Sequence, residues 1–267
     1  MAVDDPTSWD PDQYRQFAEQ RAEPFHDLLA MLHPAHVQRA VDLGCGPGEL
    51  TALAARQLGV GDMVGIDNSA SMLEAAAARV APGVRFEFGD IAAWTSDRDV
   101  DLALAAASLH WVPDHPTVIA RWTEGLAPGG QLAVQVPANS HAPTHTVAID
   151  LAEREPYRSV FGPAGPPADP VAANVLRPDA YARLLHDLGY VDIDVQLRVY
   201  PHLLPTSRHA VEWVKGTMLT RFRDALPADV YDRFLDDYSR SLRDALGDEA
   251  PCFFPFSRIL FVGRRPG

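Results

Sequence analysis

The residues with the clearest chemical purpose are Val41-Asp42-Leu43-Gly44-Cys45-Gly46-Pro47-Gly48, followed by Asp67 at the end of the next apolar run, Met63-Val64-Gly65-Ile66. An apolar strand that runs into a glycine turn lets the backbone pass close to a ligand, because glycine has no Cβ to clash. An acid at the end of the second strand can accept hydrogen bonds from both hydroxyls of a ribose. The pair points to a nucleoside-bearing ligand. The turn is not a dinucleotide fingerprint. It continues into Glu49, which stands near the helix start where a pyrophosphate would bind. A carboxylate there works against a doubly anionic ligand.

A sulfonium nucleoside that carries an amino acid meets no such conflict. The turn, with Asp42 before it, resembles motif I of class I S-adenosylmethionine (SAM) methyltransferases. That resemblance implies cofactor contacts at Asp42, Gly44, Cys45, Gly46, Asp67, Asn68, Met72, Ala106 and Leu109. Cys45 also reads simply as a small buried residue. Asp90, in Phe88-Gly89-Asp90-Ile91, suits the adenine amine, with Ile91 covering the ring; it equally suits a helix N-cap. Ser108-Leu109-His110-Trp111 follows the fourth strand, at the carboxyl edge where open α/β sheets bind ligands. His110 can orient a substrate oxygen and Trp111 can wall the pocket, or the two can be a solvated His beside a packed Trp.

The elements that must hold these residues follow from periodicity. Strands are expected at 39–43, 63–67, 84–89, 100–106 and 131–137, with Pro128-Gly129-Gly130 as a turn. Helices are expected at 49–58, from an N-cap at Asn68 or Ser69 to Val80, and at 115–126. Strand and helix alternate, which argues a parallel sheet with helices on both faces. Residues 11–33 read as helical and divided at Pro24. Beyond residue 138 the alternation breaks. Helices are expected at 144–154, 178–188 (ending at Gly189) and within 207–247, strands at 191–200 and 258–263, and a surface loop or lid at 162–170.

Composition limits the function classes. A chain of 267 residues suits one large α/β domain, and 47% hydrophobic content argues against disorder. A net charge of −13 argues against nonspecific nucleic-acid binding and for a small-molecule or carrier-bound substrate. Lys215 is the only lysine, so arginine supplies nearly all positive charge. Cys45 and Cys252 make neither a disulfide framework nor a metal cluster. No apolar run reaches membrane length, and nothing at the N-terminus resembles a signal peptide. The expectation is a cytoplasmic enzyme without a membrane partner, monomeric or homodimeric.

More specific motifs extend over nearly the whole chain. Trp9-Asp10-Pro11-Asp12-Gln13-Tyr14, Ala107–Pro113, Ala133–Asn139, Pro143-Thr144-His145, Tyr200-Pro201-His202, Trp213-Val214 and Phe254–Arg258 resemble the trans-aconitate methyltransferase family. The resemblance implies a class I (Rossmann-like) seven-stranded, mostly parallel sheet. To this it adds an N-terminal cap at 1–38 and helical lid inserts at about 138–175 and 203–254, in a single domain over 1–267. It implies SN2 transfer of the SAM methyl group to a carboxylate of a small acid. It also implies that Arg21 pairs with the methionyl carboxylate. Catalytic positions are expected at Tyr14, His110 and Arg258, and substrate contacts at Trp111, Asn139, His145, Tyr200 and His202. Each also has a structural reading: Tyr14 packing a helix, His145 capping one, His202 in a polar loop. The chain departs from the family at Ala106, Glu23, Ser257 and Thr220, with Arg221 beside the last. Cations for a trianionic acid are therefore fewer. A hydroxyl, amine or carbon acceptor on another small molecule or secondary metabolite, with His110 as general base for an alcohol, and a non-methylating SAM-binding protein remain open.

Overall fold

The computed structural model describes residues 18–267. Its first helix, α1 (Ala18–Ala30), continues through Pro24, which corrects the expected break. A proline removes one i→i−4 hydrogen bond. The buried stripe Phe25, Leu28 and Leu29 outweighs that loss. Tyr14 and the motif around it lie outside the described residues.

The chain then alternates: β1 (Arg39–Leu43), α2 (Glu49–Leu58), β2 (Asp62–Asp67), α3 (Ala70–Ala76), β3 (Val84–Phe88), β4 (Val100–Ala106), α4 (His115–Gly125) and β5 (Leu126–Pro137). After β5 come α5 (Pro143–Ala152), α6 (Tyr157–Phe161), α7 (Pro170–Asn174), α8 (Pro178–Asp187) and β6 (Val191–Leu204). The last elements are α9 (Ser207–Lys215), α10 (Thr220–Ala225), α11 (Ala228–Leu246) and β7 (Cys252–Arg264). Seven strands form one sheet in the order β3-β2-β1-β4-β5-β7-β6. The pairs β1–β2, β1–β4, β2–β3 and β4–β5 are parallel, and β5–β7 is antiparallel. The expected seven-stranded, mostly parallel sheet is therefore present.

Pro128-Gly129-Gly130 does not stand before β5 as a separate turn. Val100 pairs with Leu126, and Leu102 pairs with Gln131, so residues 127–130 form an excursion within the strand. Gly129 takes φ +80° there, a left-handed conformation that glycine adopts without steric cost. The strand resumes because β4 offers its ladder on both sides of the excursion.

Among the described residues the chain divides into two compact units. One holds the chain up to Ala138, Asn174–Arg198 and Ser257–Gly267; the other holds Asn139–Ala173 and Val199–Phe256. The core of the first is built on Leu43, Ala103, Trp122, Val134, Tyr181 and Phe261, with Tyr181 and Phe261 stacked at 4.5 Å. The second unit is mostly helical. Its longest helix, α11, buries Tyr231, Phe234, Tyr238 and Leu242 on one stripe. Phe234 stacks on Phe222 at 4.8 Å and meets Tyr157 edge-on at 5.1 Å. Among the described residues no helix is long and apolar enough to cross a membrane.

Candidate active site

β1, β2 and β4 deliver the acids and the glycine turn to one edge of the sheet. Gly44 N–H and Cys45 N–H both donate to the Ile66 carbonyl, at 2.8 and 3.0 Å. This ties the turn after β1 to the end of β2. Gly44 has φ +85°, and a Cβ on it would come within 2.2 Å of Ser108 Cβ. Only glycine fits there. The Ser108 hydroxyl donates to the Leu43 carbonyl, which ties the start of the loop after β4 to the same place.

The Asp67 carboxylate accepts from Gly46 N–H at Oδ2 and from Ser69 N–H at Oδ1, each at 2.8 Å. Each oxygen keeps lone-pair capacity for a further donor. Burial pushes Asp67 above its ordinary value, against the backbone N–H groups of Ser69, Gly46 and Asn68. A Cβ on Gly46 would meet nothing within 4 Å, so the backbone beside Asp67 faces open space. Asp42 is deeper, at 2% exposure. Its Oδ2 accepts from the Thr51 hydroxyl at 2.6 Å, and its Oδ1 has no hydrogen-bond partner. Burial pushes Asp42 up to about 6, the Thr51 hydrogen bond works against this, and the Asp67 charge adds to it. Cys45 is buried; burial and the charges of Asp42 and Asp67 push its thiol up, so it stays protonated.

Around these residues, Ser69 caps α3 by accepting from Met72 N–H. Met72 is buried and Asn68 exposed. Asp90 is exposed and caps the short turn Ile91–Ala93 with its Oδ1 accepting from Ala92 N–H at 2.9 Å. Ile91 packs against the core. Ala106 is half-buried and Leu109 fully buried. Arg21 falls within α1. Glu49 pairs with Arg79 at 2.8 Å, which offsets part of the charge that the sequence reading sets against a phosphate.

The loop after β4 begins with Ala107 at φ +55°, which redirects the chain into the turn Leu109–Trp111. His115 fixes that turn. Its Nε2 bonds the Leu109 carbonyl at 3.0 Å, so Nε2 carries the proton, and Nδ1 accepts from the Tyr181 hydroxyl at 2.6 Å. Burial lowers the His115 pKa, in keeping with a neutral ring. The sequence reading missed His115, because its partner Tyr181 is far along the chain. His110 is buried, its ring 4.7 Å from that of the partly exposed Trp111, and its carbonyl accepts from Asn174 Nδ2.

Arg258 lies within β7, as the strand expected from residue 258 has it, opposite Pro137 at the end of β5. Because β7 is antiparallel, this register brings Arg258 to the carboxyl edge of the parallel strands. It is buried and donates from Nη1 to Gln135 Oε1 at 2.9 Å. Gln135 in turn is in register with Ala106.

The remaining expected substrate residues lie in the helical unit. Asn139 is buried, with Oδ1 lacking a hydrogen-bond partner. His145 is not a cap; it is buried against Asp169, at 2.5 Å. His202 is on β6, not in a polar loop, between Tyr200 and Trp213 in an aromatic cluster with Phe254 and Phe256.

Comparison with known proteins agrees with this geometry. A family model described as a methyltransferase domain matches residues 40–130. The trans-aconitate 2-methyltransferase of Deinococcus radiodurans is 42% identical over 260 residues, 97% of this chain and 99% of that protein. Those of Streptomyces coelicolor and Mycobacterium tuberculosis are 40% and 36% identical, each over 97% of this chain, and over 87% and 97% of their own lengths. The chain belongs to the trans-aconitate 2-methyltransferase family. It is a class I SAM-dependent methyltransferase. Solved structures support the fold: Haemonchus contortus phosphoethanolamine N-methyltransferase 2, with phosphomonomethylethanolamine and S-adenosylhomocysteine, has a TM-score of 0.56. That match has 16% identity, over 92% of this chain and 53% of that one. The YcgJ protein of Bacillus subtilis has a TM-score of 0.57 at 15% identity, over 94% and 99%.

The residues on this edge fit SAM as the family's cofactor. Asp67 has acceptor capacity left beside an open stretch of backbone at Gly46. The under-compensated acid Asp42 suits a cationic ligand better than an anionic one.

Proposed function

We propose that this chain methylates a carboxylate oxygen of a small polycarboxylic acid of the trans-aconitate type. The observation that carries this is the likeness to relatives of that name over nearly the whole of both chains. Arg258, a buried guanidinium at the carboxyl edge of the sheet, supports it as a carboxylate partner.

In this reading Asp67 accepts from the ribose hydroxyls, Asp90 from the adenine amine, and Ile91 and Leu109 cover the ring. Gly44, Cys45 and Gly46 let the backbone approach; Asp42, Asn68, Met72 and Ala106 complete the cradle, and Arg21 takes the methionyl carboxylate. Bound SAM supplies an electrophilic methyl group and departs as S-adenosylhomocysteine. A carboxylate acceptor is ionised at neutral pH, so the chain need not remove a proton. Its work is to orient the acid and exclude water. Arg258, Tyr14 and His110 are the positioning candidates, with Trp111, Asn139, His145, Tyr200 and His202 as further acceptor contacts. The whole chain acts as one functional domain, cytoplasmic, monomeric or homodimeric, with residues 1–38 as cap and about 138–175 and 203–254 as lid. Its partner is a small acid and not a nucleic acid.

A screen of di- and tricarboxylates, trans-aconitate included, for S-adenosylhomocysteine release tests this directly. Turnover with tricarboxylates is expected, and its pH profile should be flat between pH 6 and 8, as for an acceptor already ionised. A rate that climbs through the histidine range would instead favour a hydroxyl acceptor with His110 as base.

A further inference from the structure

Three ionisable side chains are buried together in the helical unit. Asp169 lies 2.5 Å from His145 Nδ1 through Oδ2, and 3.5 Å from Arg221 Nη1 through Oδ1. The three side chains are 6–8% exposed. Asp169 has ample donors, since Val171 N–H also bonds its Oδ1 at 2.9 Å. Arg221 does not have ample acceptors. Its Nε and Nη1 are buried without a hydrogen-bond partner, and Nη2 reaches only the thioether of Met218, at 3.8 Å. Asp169 offsets the charge of Arg221 without filling its hydrogen bonds. The Phe222 ring, 4.7 Å from Cζ, holds the guanidinium plane and takes none of its N–H groups.

A guanidinium presents its donors in a fixed fork, and the edge formed by Nε and Nη2 matches the two oxygens of a carboxylate. In Arg221 that edge meets one weak sulfur acceptor in total. Unfilled donors on a buried charge are costly. Their retention calls for a ligand that fills them. Apolar walls from Phe222 and Met218 strengthen whatever anion enters.

We propose that Arg221 anchors a carboxylate of the acid acceptor on its Nε/Nη2 edge, displacing Met218 Sδ, while Asp169 and Phe222 hold the guanidinium in place. This rests on the acid-methylating reading above and adds to it a named specificity residue in the helical unit.

The test compares the wild type with Arg221→Lys, which keeps the charge and loses the fork, and Arg221→Met, which loses both. For trans-aconitate, KM should rise about tenfold or more in Arg221→Met and less in Arg221→Lys. Affinity for SAM by calorimetry should stay within about twofold in both, as for a residue that acts on the acceptor. An unchanged KM in either folded variant overturns the anchor and leaves the acid-methylating reading standing. If no acid supports turnover by the wild type, that reading fails, and citrate as a binding probe still decides about Arg221. Citrate should raise the wild-type melting temperature, raise that of Arg221→Lys less, and leave that of Arg221→Met unmoved. Equal protection of all three, or protection of none, overturns the proposal. Should Arg221→Met fail to fold, the KM and citrate response of Arg221→Lys carry the decision alone.

Discussion

Asp42 and Asp169 are both buried aspartates, and their surroundings treat them in opposite ways. Asp42, in the α/β unit, has one hydroxyl donor and a second acid nearby, and burial dominates, so it sits up at about 6. Asp169, in the helical unit, is also pushed up by burial. There, however, the His145 hydrogen bond and charge, the Arg221 charge and the Val171 N–H together pull it below its ordinary value. One unit leaves acid uncompensated, and the other compensates its acid and leaves arginine donors unfilled. The two units thus leave opposite charges short of partners.

Removing each aspartate should therefore change stability with opposite sign. Asp169→Ala strands Arg221 without its counter-charge and should cost about 3–5 kcal/mol in denaturant unfolding. Asp42→Asn should stabilise. A folded-state pKa above the unfolded value means that the native state holds its proton more tightly. The related stability is present below about pH 4 and lost as pH rises through about 6. Without SAM, Asp42→Asn should be more stable than wild type by about 3 kcal/mol at pH 8 and no more stable at pH 3.5. A gain that is the same at both pH values would break the contrast. Smallest in stability terms is Asp67→Ala. It should weaken SAM binding by about tenfold to a hundredfold in calorimetry, from the loss of charge-assisted hydrogen bonds. Unchanged SAM affinity would remove the ribose assignment.

Local chemistry was legible in the sequence. β1, α2 and β4 fall where alternation and the glycine turn place them. The turn's backbone bonds link residues that already announce themselves, Gly46 to Asp67 and Gly44 to the end of β2. Strand lengths near the C-terminus were less legible. β6 runs to Leu204 and β7 starts at Cys252, several residues beyond the expected bounds. A strand's extent depends on its neighbour as well as on its own pattern. The 207–247 stretch splits into three helices, with Gly216 closing α9 and Pro227 preceding α11. Asp169, Gln135, Thr51 and His115 went unread as site-shaping residues. Asp169, Gln135 and His115 act on partners remote in sequence, and Thr51 is itself an unremarkable helix residue although its partner Asp42 is not.

Ser108 bonded to the Leu43 carbonyl, and Gly44 with no room for a Cβ beside it, make the turn after β1 and the loop after β4 one mechanical piece. A change that reshapes Leu109–Trp111 must then pass through the fastener that sets the glycine turn. On the proposed roles of this loop and this turn, variation in what the protein accepts is epistatic with how firmly it holds the donor. Selection for a new acid along this loop would be read out first as drift in SAM affinity.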